Sequence, residues 1–165
     1  MTRPAVYRAP MRARTLDLPA GSGAEPAVER GLVGIGEPLP AAPRALDEAV
    51  AALGDRFGQK AARLLEAFAG VPDGAFVWTR TGDGRFRLGR LDGPWRYDSS
   101  ADARRTGIAH VRPADWLERP FGPDEVPGAV AATFARGGRN FQRTHGEEAE
   151  RGTLELWRLH RGGPG

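Results

Sequence analysis

The sequence predicts an α+β fold, in which a curved, mostly antiparallel sheet or a small β-barrel carries flanking helices. Three observations support this prediction. A short apolar segment rich in glycine, residues 31–36, precedes a long stretch in which apolar residues recur at helical spacing. From residue 75 onward, short segments of alternating apolar and polar residues are separated by turn signals, as in antiparallel strands. The charged segment near the end of the chain is again predicted to be helical.

Length and composition predict one domain with a single core, because 165 residues with 40% hydrophobic content suffice for that. Residues 1–27 are rich in Pro, Ala, Gly and Arg and show no apolar periodicity, so we expect a flexible arm followed by a domain over residues 28–160. No apolar run approaches the length of a membrane span, and no signal peptide is recognisable. The chain contains no cysteine, which excludes disulfides and thiolate metal sites and fits a cytoplasmic protein.

The first elements are a strand and a helical region. Residues 31–36 form the short apolar strand, in which glycine indicates a bulge or a close approach of another group. Apolar residues then follow helical spacing from Leu46 to Phe68. Gly54 and Gly58 interrupt the middle of this stretch, so it forms either one helix or two.

The remaining elements are mostly strands. Ala75–Thr81 and Arg85–Leu91 flank a Gly-Asp-Gly turn and predict a hairpin, and residues 108–112 predict another strand that residues 115–117 continue. A short helix is expected after Pro127. Thr144 and Glu147 have the spacing of a capping box, which predicts a final helix to about His160.

The charge distribution is uneven, although the net charge is only +3. Between Trp78 and Arg143 there are twelve arginines against eight acidic residues, whereas Glu147–Glu155 carries four acids and one arginine. Basic charge therefore collects in the segment that also holds most of the tryptophans. This asymmetry is expected of a surface that binds phosphate.

Two segments carry the candidate binding chemistry. In residues 89–98, Trp95 and Tyr97 lie two apart and share one face of an extended backbone, while Arg96 points the other way. Two rings beside cations can stack on a nucleobase and hold a phosphate; the alternative is that both rings belong to the core. The second segment, Arg136–Arg143, combines three arginines and two glycines with amide side chains around Phe141. Its alternative interpretation is a surface loop that Phe141 anchors.

Enzymatic chemistry is not indicated. The three serines lie in loop-like contexts without a nucleophile-elbow pattern, and the histidines lack the spacing of metal ligands. No glycine-rich phosphate loop or dinucleotide fingerprint is complete. We therefore expect a binding protein with no catalytic residues, no metal and no cofactor.

Several segments, taken in chain order, resemble the PUA-like superfamily, in particular its EVE and YTH branch and the N-terminal modified-base-reading domains of Mrr and McrBC methylation-dependent restriction proteins. The likeness covers roughly residues 30–143 and includes the helical stretch over residues 43–70. The matching strand segments are Gly31-Leu-Val-Gly-Ile-Gly36, Gly74-Ala-Phe-Val-Trp78, Leu88-Gly-Arg-Leu-Asp-Gly-Pro-Trp-Arg-Tyr97 and His110-Val-Arg-Pro-Ala-Asp-Trp-Leu117. Two positions depart from the pattern. Ala75 stands where the family has Asp, and Glu37 stands where relatives often have an aromatic.

The resemblance implies a reader that flips one modified base into an aromatic-walled pocket and holds the flanking backbone with basic residues. It favours 5-methylcytosine in DNA, and a cytoplasmic protein that is nucleoid-associated when bound. An RNA-binding module of the same fold and a regulatory protein-interaction domain are the alternatives. The expected base pocket consists of Trp95, Tyr97, Trp78, Glu37 and Gly36, with Glu37 as an acceptor for a base amino group. The expected backbone and base contacts are Arg90, Arg96, Arg112, Arg136, Arg139, Asn140, Phe141, Gln142 and Arg143.

Overall fold

A seven-stranded curled sheet organises the chain, as seen in a computed structural model that describes residues 3–162. The strands are β1 (Val6–Arg8), β2 (Leu32–Ile35), β3 (Phe76–Arg80), β4 (Phe86–Leu91), β5 (Arg96–Tyr97), β6 (His110–Trp116) and β7 (Gln142–Arg143). The helices are α1 (Ala24–Glu29), α2 (Leu46–Phe57), α3 (Gln59–Gly70), α4 (Ala101–Thr106), α5 (Gly128–Ala135) and α6 (Glu147–His160), with a 3₁₀ turn at Pro123–Glu125. None of these helices is both long and apolar enough to span a membrane.

The strand order is β2-β6-β4-β3-β1-β7, and β5 pairs with β6 outside this path. All pairs are antiparallel except β1 with β3. The long strand β6 bridges two parts of the sheet, because its first half pairs with β2 and β5 and its second half with β4. The predicted α+β fold with a curved, mostly antiparallel sheet and flanking helices is confirmed.

The helical stretch forms two helices. Gly58 lies between α2 and α3 with a φ of +97°, a backbone conformation that residues with a side chain rarely adopt. Each helix turns an apolar face toward the sheet, where Leu53, Leu65 and Phe68 are buried. The predicted hairpin is also present, with Thr79 opposite Arg87 across β3 and β4.

The capping-box prediction for the last helix is wrong. Helix α6 begins at Glu147 with Gly146 as its N-cap residue, and no side chain caps it. Thr144 lies just beyond β7, where its backbone N–H donates to the carbonyl of Val6. Because this residue still continues the ladder of β7, it is not free to start a helix.

The structure contradicts a flexible arm over residues 1–27 wherever it describes them; residues 1 and 2 lie outside the described part. Val6–Arg8 forms a strand between β3 and β7, and Val6 and Ala9 are fully buried. Met11 and Ala13 are also buried, and α1 follows at Ala24. A three-residue strand whose buried positions are a valine and an arginine is too short to produce a recognisable apolar period.

Two apolar clusters hold the helices to the sheet. One lies beneath α2 and α3, and its buried members include Val33, Leu53, Leu65, Phe68 and Val77. The other packs α5 and α6 against the sheet and includes Val6, Phe76, Trp78, Phe121 and Trp157. Consecutive residues of β3 alternate between the two clusters, as the pleat of a strand requires.

We expect Val6→Ala to lower the free energy of unfolding by about 2 kcal/mol, because it removes two buried methyl groups from the apolar cluster beneath α5 and α6. Denaturant unfolding of the purified variant measures this. Asp17→Ala, at an exposed position in the same N-terminal segment, is the matched control and should leave stability unchanged. Equal stability of both variants and the parent would show that the first strand is not part of the folded core.

Candidate functional site

A pocket of about 360 Å³ lies where four segments of the chain meet. These are the segment after β1 (residues 10–14), the end of β2 (residues 34–37), the end of α2 with the first half of α3 (residues 57–64), and the loop after α5 (residues 139–141). The pocket therefore depends on parts of the chain that are far apart in sequence, including the N-terminal segment. Its size is at the lower end of the range for small-molecule sites.

The pocket floor is apolar and contains two aromatic rings. Met11, Ile35, Phe57, Leu64 and Phe141 contribute apolar surface. The Phe141 ring is fixed from behind. Its centroid lies 4.9 Å from that of Tyr7 in a stacked arrangement and 5.1 Å from that of Phe68 edge to face. The half-buried Phe57 ring also lines the pocket; it packs against the apolar cluster beneath α2 and α3, and the Arg56 guanidinium lies 5.6 Å from its centroid. A flat apolar ligand finds suitable contacts on this floor.

The pocket rim is cationic. Five basic side chains border it, and Glu37 is the one carboxylate among its lining residues. Within residues 3–162, none of these five side chains forms an ion pair. They are Arg12, Arg14, Lys60, Arg63 and Arg139. Cations that border a pocket without carboxylate partners attract an anionic ligand.

Glu37 shapes the pocket from the protein side. It is 7% exposed, and its carboxylate accepts hydrogen bonds from the backbone N–H groups of Arg14 and Thr15 at 3.0 Å each. The Thr15 hydroxyl donates a third bond at 2.7 Å. These bonds hold the N-terminal segment against the end of β2. Glu37 lines this pocket, but a base amino group would compete with three donors of the chain itself.

His110 supports the same backbone from beneath. Its ring is fully buried, Nδ1 accepts a hydrogen bond from Trp95 Nε1 at 3.2 Å, and Nε2 lies 3.0 Å from the carbonyl oxygen of Glu37. Because the Trp95 indole can only donate and the carbonyl can only accept, the neutral tautomer with its proton on Nε2 satisfies both bonds. Burial lowers the pKa of His110 to about 4, against the opposing influence of Glu37.

Trp95 and Tyr97 flank His110 and do not line the pocket, which differs from the prediction that they are its walls. The Trp95 ring lies roughly parallel to the imidazole, with centroids 6.1 Å apart, and the Tyr97 ring meets it edge to face at 5.4 Å. The Tyr97 hydroxyl accepts from the N–H of Leu39 at 2.9 Å. Both half-buried rings therefore stabilise residues 37–39 from behind. Strand alternation predicts that the two rings share one face of β5, but it does not decide which surface of the protein that face belongs to.

Trp78 also differs from its predicted place in a base pocket. It is fully buried in the cluster beneath α5 and α6, where its ring meets Phe121 edge to face at 5.6 Å. Its Nε1 donates to the Thr153 hydroxyl at 3.0 Å, which satisfies its polar atom inside the core. This residue is part of the packing between the sheet and α6.

Arg112 is a buried structural residue rather than a phosphate ligand. It is 2% exposed and donates to the carbonyl oxygens of Phe68 at 2.9 Å, Val71 at 2.7 Å and Gly93 at 2.8 Å. A further bond of 2.9 Å reaches the carboxylate of Asp73. The guanidinium therefore satisfies the carbonyls at the end of α3, which a helix leaves without partners.

The other arginines predicted to contact phosphate, apart from Arg139, lie outside the pocket, in three different parts of the structure. Arg90 donates to the carbonyl of Gly74 at 3.0 Å, and its guanidinium lies over the Phe76 ring, away from the pocket. Arg96 is exposed on β5. Arg136 and Arg143 line a second groove on the other side of the loop at residues 137–141.

The loop after α5 brings three of its predicted residues to the pocket, namely Arg139, Asn140 and Phe141. Arg139 donates to the carbonyl of Ala13 at 3.1 Å, and Asn140 accepts from the guanidinium of Arg14 at 2.8 Å through its side-chain oxygen. Within residues 3–162 the Asn140 amide nitrogen has no hydrogen-bond acceptor, so its two N–H donors are unused. Gln142 is exposed on β7 and lines the second groove instead.

Several pocket residues were not predicted from the sequence: Met11, Arg12, Arg14, Phe57, Lys60 and Arg63. One available signal was the alternation of apolar residues with arginines over residues 11–14, which is the pattern of an extended segment with one buried face. The other was the spacing of Lys60, Ala61 and Leu64, which places them on one side of α3, next to Phe57 at the end of α2.

Metal binding would require a group of ligating side chains in the structure. Among residues 3–162 no group of three His, Asp or Glu side chains is placed to hold a metal ion.

No protein-family model matches the sequence, and no curated protein matches it. One solved structure similar to this chain is the YTH domain of the Zygosaccharomyces rouxii MRB1 protein in complex with N6-methyladenosine RNA. The identity is 15% over 94% of this chain and 86% of that chain, with a TM-score of 0.43. At this level the likeness assigns neither a family nor a ligand.

We expect Arg112→Met to lower the free energy of unfolding by about 3 kcal/mol or more, because the carbonyls of Phe68, Val71 and Gly93 lose a buried donor. Arg96→Met, which changes an exposed arginine, should cost less than about 0.5 kcal/mol. Denaturant titration of both variants decides between the structural role and a surface role. A parent-like stability for the Arg112 variant would contradict the structural role.

The buried His110 predicts a pH-dependent stability. Its folded-state pKa of about 4 lies below the ordinary value of 6.5, so between these values the unfolded chain binds a proton that the folded chain does not. The free energy of unfolding should therefore fall by about 3 kcal/mol as pH decreases from about 6.5 to about 4. The measurement is denaturant unfolding across that range for the parent and for His110→Gln. The variant should lack this part of the slope, and an identical slope in both would refute the assignment.

Proposed function

We propose that the protein binds nucleic acid by accepting a single base in the pocket between Phe57 and Phe141, while the rim cations hold the adjacent phosphates. The observation that carries this proposal is the combination of an apolar floor with two aromatic rings and a rim of five cations without carboxylate partners among the described residues. Aromatic faces stack on bases, and arginine and lysine neutralise phosphates.

The pocket dimensions favour one base over a stacked run of bases. A volume of about 360 Å³ accommodates a base with its sugar, so the base has to leave its neighbours in the strand. The amide donors of Asn140 lie on the pocket wall, where they can hydrogen-bond an acceptor on the edge of the base. Binding is the whole of the proposed activity, with no chemical step on the base.

A methylated base is the preferred ligand under this proposal, with 5-methylcytosine in DNA as the first candidate. Met11, Ile35 and Leu64 give the pocket apolar surface that a methyl group can bury. Such burial contributes at most about 0.8 kcal/mol, or roughly fourfold in affinity, so shape has to supply any larger discrimination. Single-stranded RNA with a modified base is the alternative from the same site, and the sugar distinguishes the two.

The experiment that tests the proposal is a binding titration with matched oligonucleotides: single-stranded and duplex DNA with and without 5-methylcytosine, and RNA of the same sequence. Affinity should fall steeply with salt, since phosphate contacts release counterions. The double variant Lys60→Ala/Arg63→Ala should lower the slope of log affinity against log salt by about 1 to 2. Arg85→Ala/Arg104→Ala, two exposed arginines away from the pocket, is the matched control. No binding to any of these nucleic acids at low salt would reject the proposal.

We expect Phe57→Leu to weaken oligonucleotide binding about ten- to a hundredfold, because it keeps apolar packing but removes the face on which a base stacks. Its melting temperature should change little, since the ring is only half-buried. Trp95→Leu should show the opposite behaviour, with reduced stability from the lost bond to His110 and a smaller effect on binding of the folded fraction. Calorimetric melting and binding titration of both variants separate the two roles; the reverse pattern would restore Trp95 as a pocket wall.

A further inference from the structure

A second basic groove, of about 660 Å³, lies on the far side of the loop at residues 137–141. It runs between β1, β7 and α5. Its lining includes three arginines and one histidine and no acidic residue; the basic members are Arg8, Arg136, Arg143 and His145. The pocket described above does not include any of these four side chains. The groove is therefore a separate surface of the same positive sign.

Arg8 gives this groove a fixed cation. The residue is 7% exposed, its Nε donates to the carbonyl of Asn140 at 3.1 Å, and its Nη1 donates to the carbonyl and hydroxyl oxygens of Thr133 at 2.9 Å each. Its Nη2 has no hydrogen-bond partner and no ion pair among the described residues, and it is not sealed from solvent. Three bonds therefore lock the guanidinium in place while one of its amino groups keeps both protons for a ligand.

Gly138 keeps the approach to Arg8 open. A Cβ atom at this position would lie within contact distance of all three terminal atoms of the Arg8 guanidinium and overlap its Nη2. Glycine therefore lets the loop pass this close to the arginine without displacing the guanidinium. The backbone at Gly138 forms one side of the groove, so a side chain there would narrow access to Nη2.

Among the described residues, neither Arg8 nor Arg136 has an acidic partner. Burial and the nearby guanidinium of Arg136 lower the pKa of Arg8 from its ordinary value. Arg136 is exposed and forms no ion pair within residues 3–162, whereas Arg143 contacts Glu150 at 3.4 Å. Two neighbouring arginines without an acid repel each other, and a bound anion with several oxygen acceptors relieves that repulsion.

We propose that this groove binds a phosphate group of the same strand whose base occupies the pocket. The loop joins the two sites, because Asn140 bonds to Arg8 on the groove side through its carbonyl and to Arg14 on the pocket side through its side chain. The strand would then cross the loop, with a base on one side and a backbone phosphate on the other. This part rests on the proposed nucleic-acid function, whereas the anion site itself stands on Arg8 and Arg136 alone.

The first experiment tests the anion site without nucleic acid. Inorganic phosphate is titrated into the protein at constant ionic strength, with chloride as the comparison, while NMR follows the His145 ring and the arginine Nε–H signals. Phosphate-specific shifts at Arg8 and His145 that are lost in Arg136→Gln support the site. Absence of such shifts in the parent, or their persistence in the variant, overturns it. Arg104→Gln, on exposed α4, is the matched control.

The second experiment tests whether the strand uses the groove. Arg136→Gln should weaken an oligonucleotide about five- to tenfold and reduce its salt slope by about 0.7 if the strand is single, because one phosphate contact is lost. The same variant should bind the mononucleoside of the pocket base as the parent does. Unchanged oligonucleotide affinity, or equal loss for both ligands, overturns the crossing. If phosphate binds at Arg8 but no nucleic acid binds at all, the proposed function fails while the anion site stands.

Discussion

The fold depends on the three-residue strand β1, which lies between β3 and β7 and pairs in parallel with β3. Among the described strands, β7 contacts the sheet only through β1, so this short ladder holds the loop at residues 137–141 in place. The chain after β1 then forms one wall of the pocket. Burial of Val6 and Ala9 stabilises the strand, since so short a ladder has few hydrogen bonds of its own. Both basic surfaces follow from this arrangement: Arg8 is part of the strand, and Arg12 and Arg14 extend from it.

Buried polar groups, rather than aromatic walls, set the geometry of the pocket. The Glu37 carboxylate receives three donors from the N-terminal segment, and its carbonyl receives the Nε2–H of His110. Trp95 completes this chain by donating to Nδ1. Such a network is rigid only while every member is satisfied, because an unpaired polar group in the interior is costly. Aromatic residues close to a binding site can therefore act by orienting backbone, without touching the ligand.

The sequence predicted elements whose apolar pattern repeats over several turns or residues, namely the two helices after residue 46 and the hairpin of β3 and β4. It did not predict β1, because three residues carry no period and the partner strand lies seventy residues away. It also misassigned Trp78 and Arg112. Periodicity shows that alternate strand residues share a face, but packing with distant elements decides which face is buried. An arginine likewise reads as a surface cation until the helix-end carbonyls that it satisfies are located in space.

Partner groups, not charge counts, distinguish the arginines of this chain. Arg112 is fully engaged by carbonyls and one carboxylate, and its charge contributes little to any surface. Arg136, Arg12 and Arg63 form no ion pair within the described residues, and they lie on the two sides of one loop. Repulsion among such cations destabilises the folded state slightly unless an anion is bound. Because these cations have no ion-pair partner among the described residues, a bound anion would relieve their mutual repulsion. The modest net charge of +3 thus conceals two strongly positive surfaces, and a polyanion that follows the loop can contact both at once.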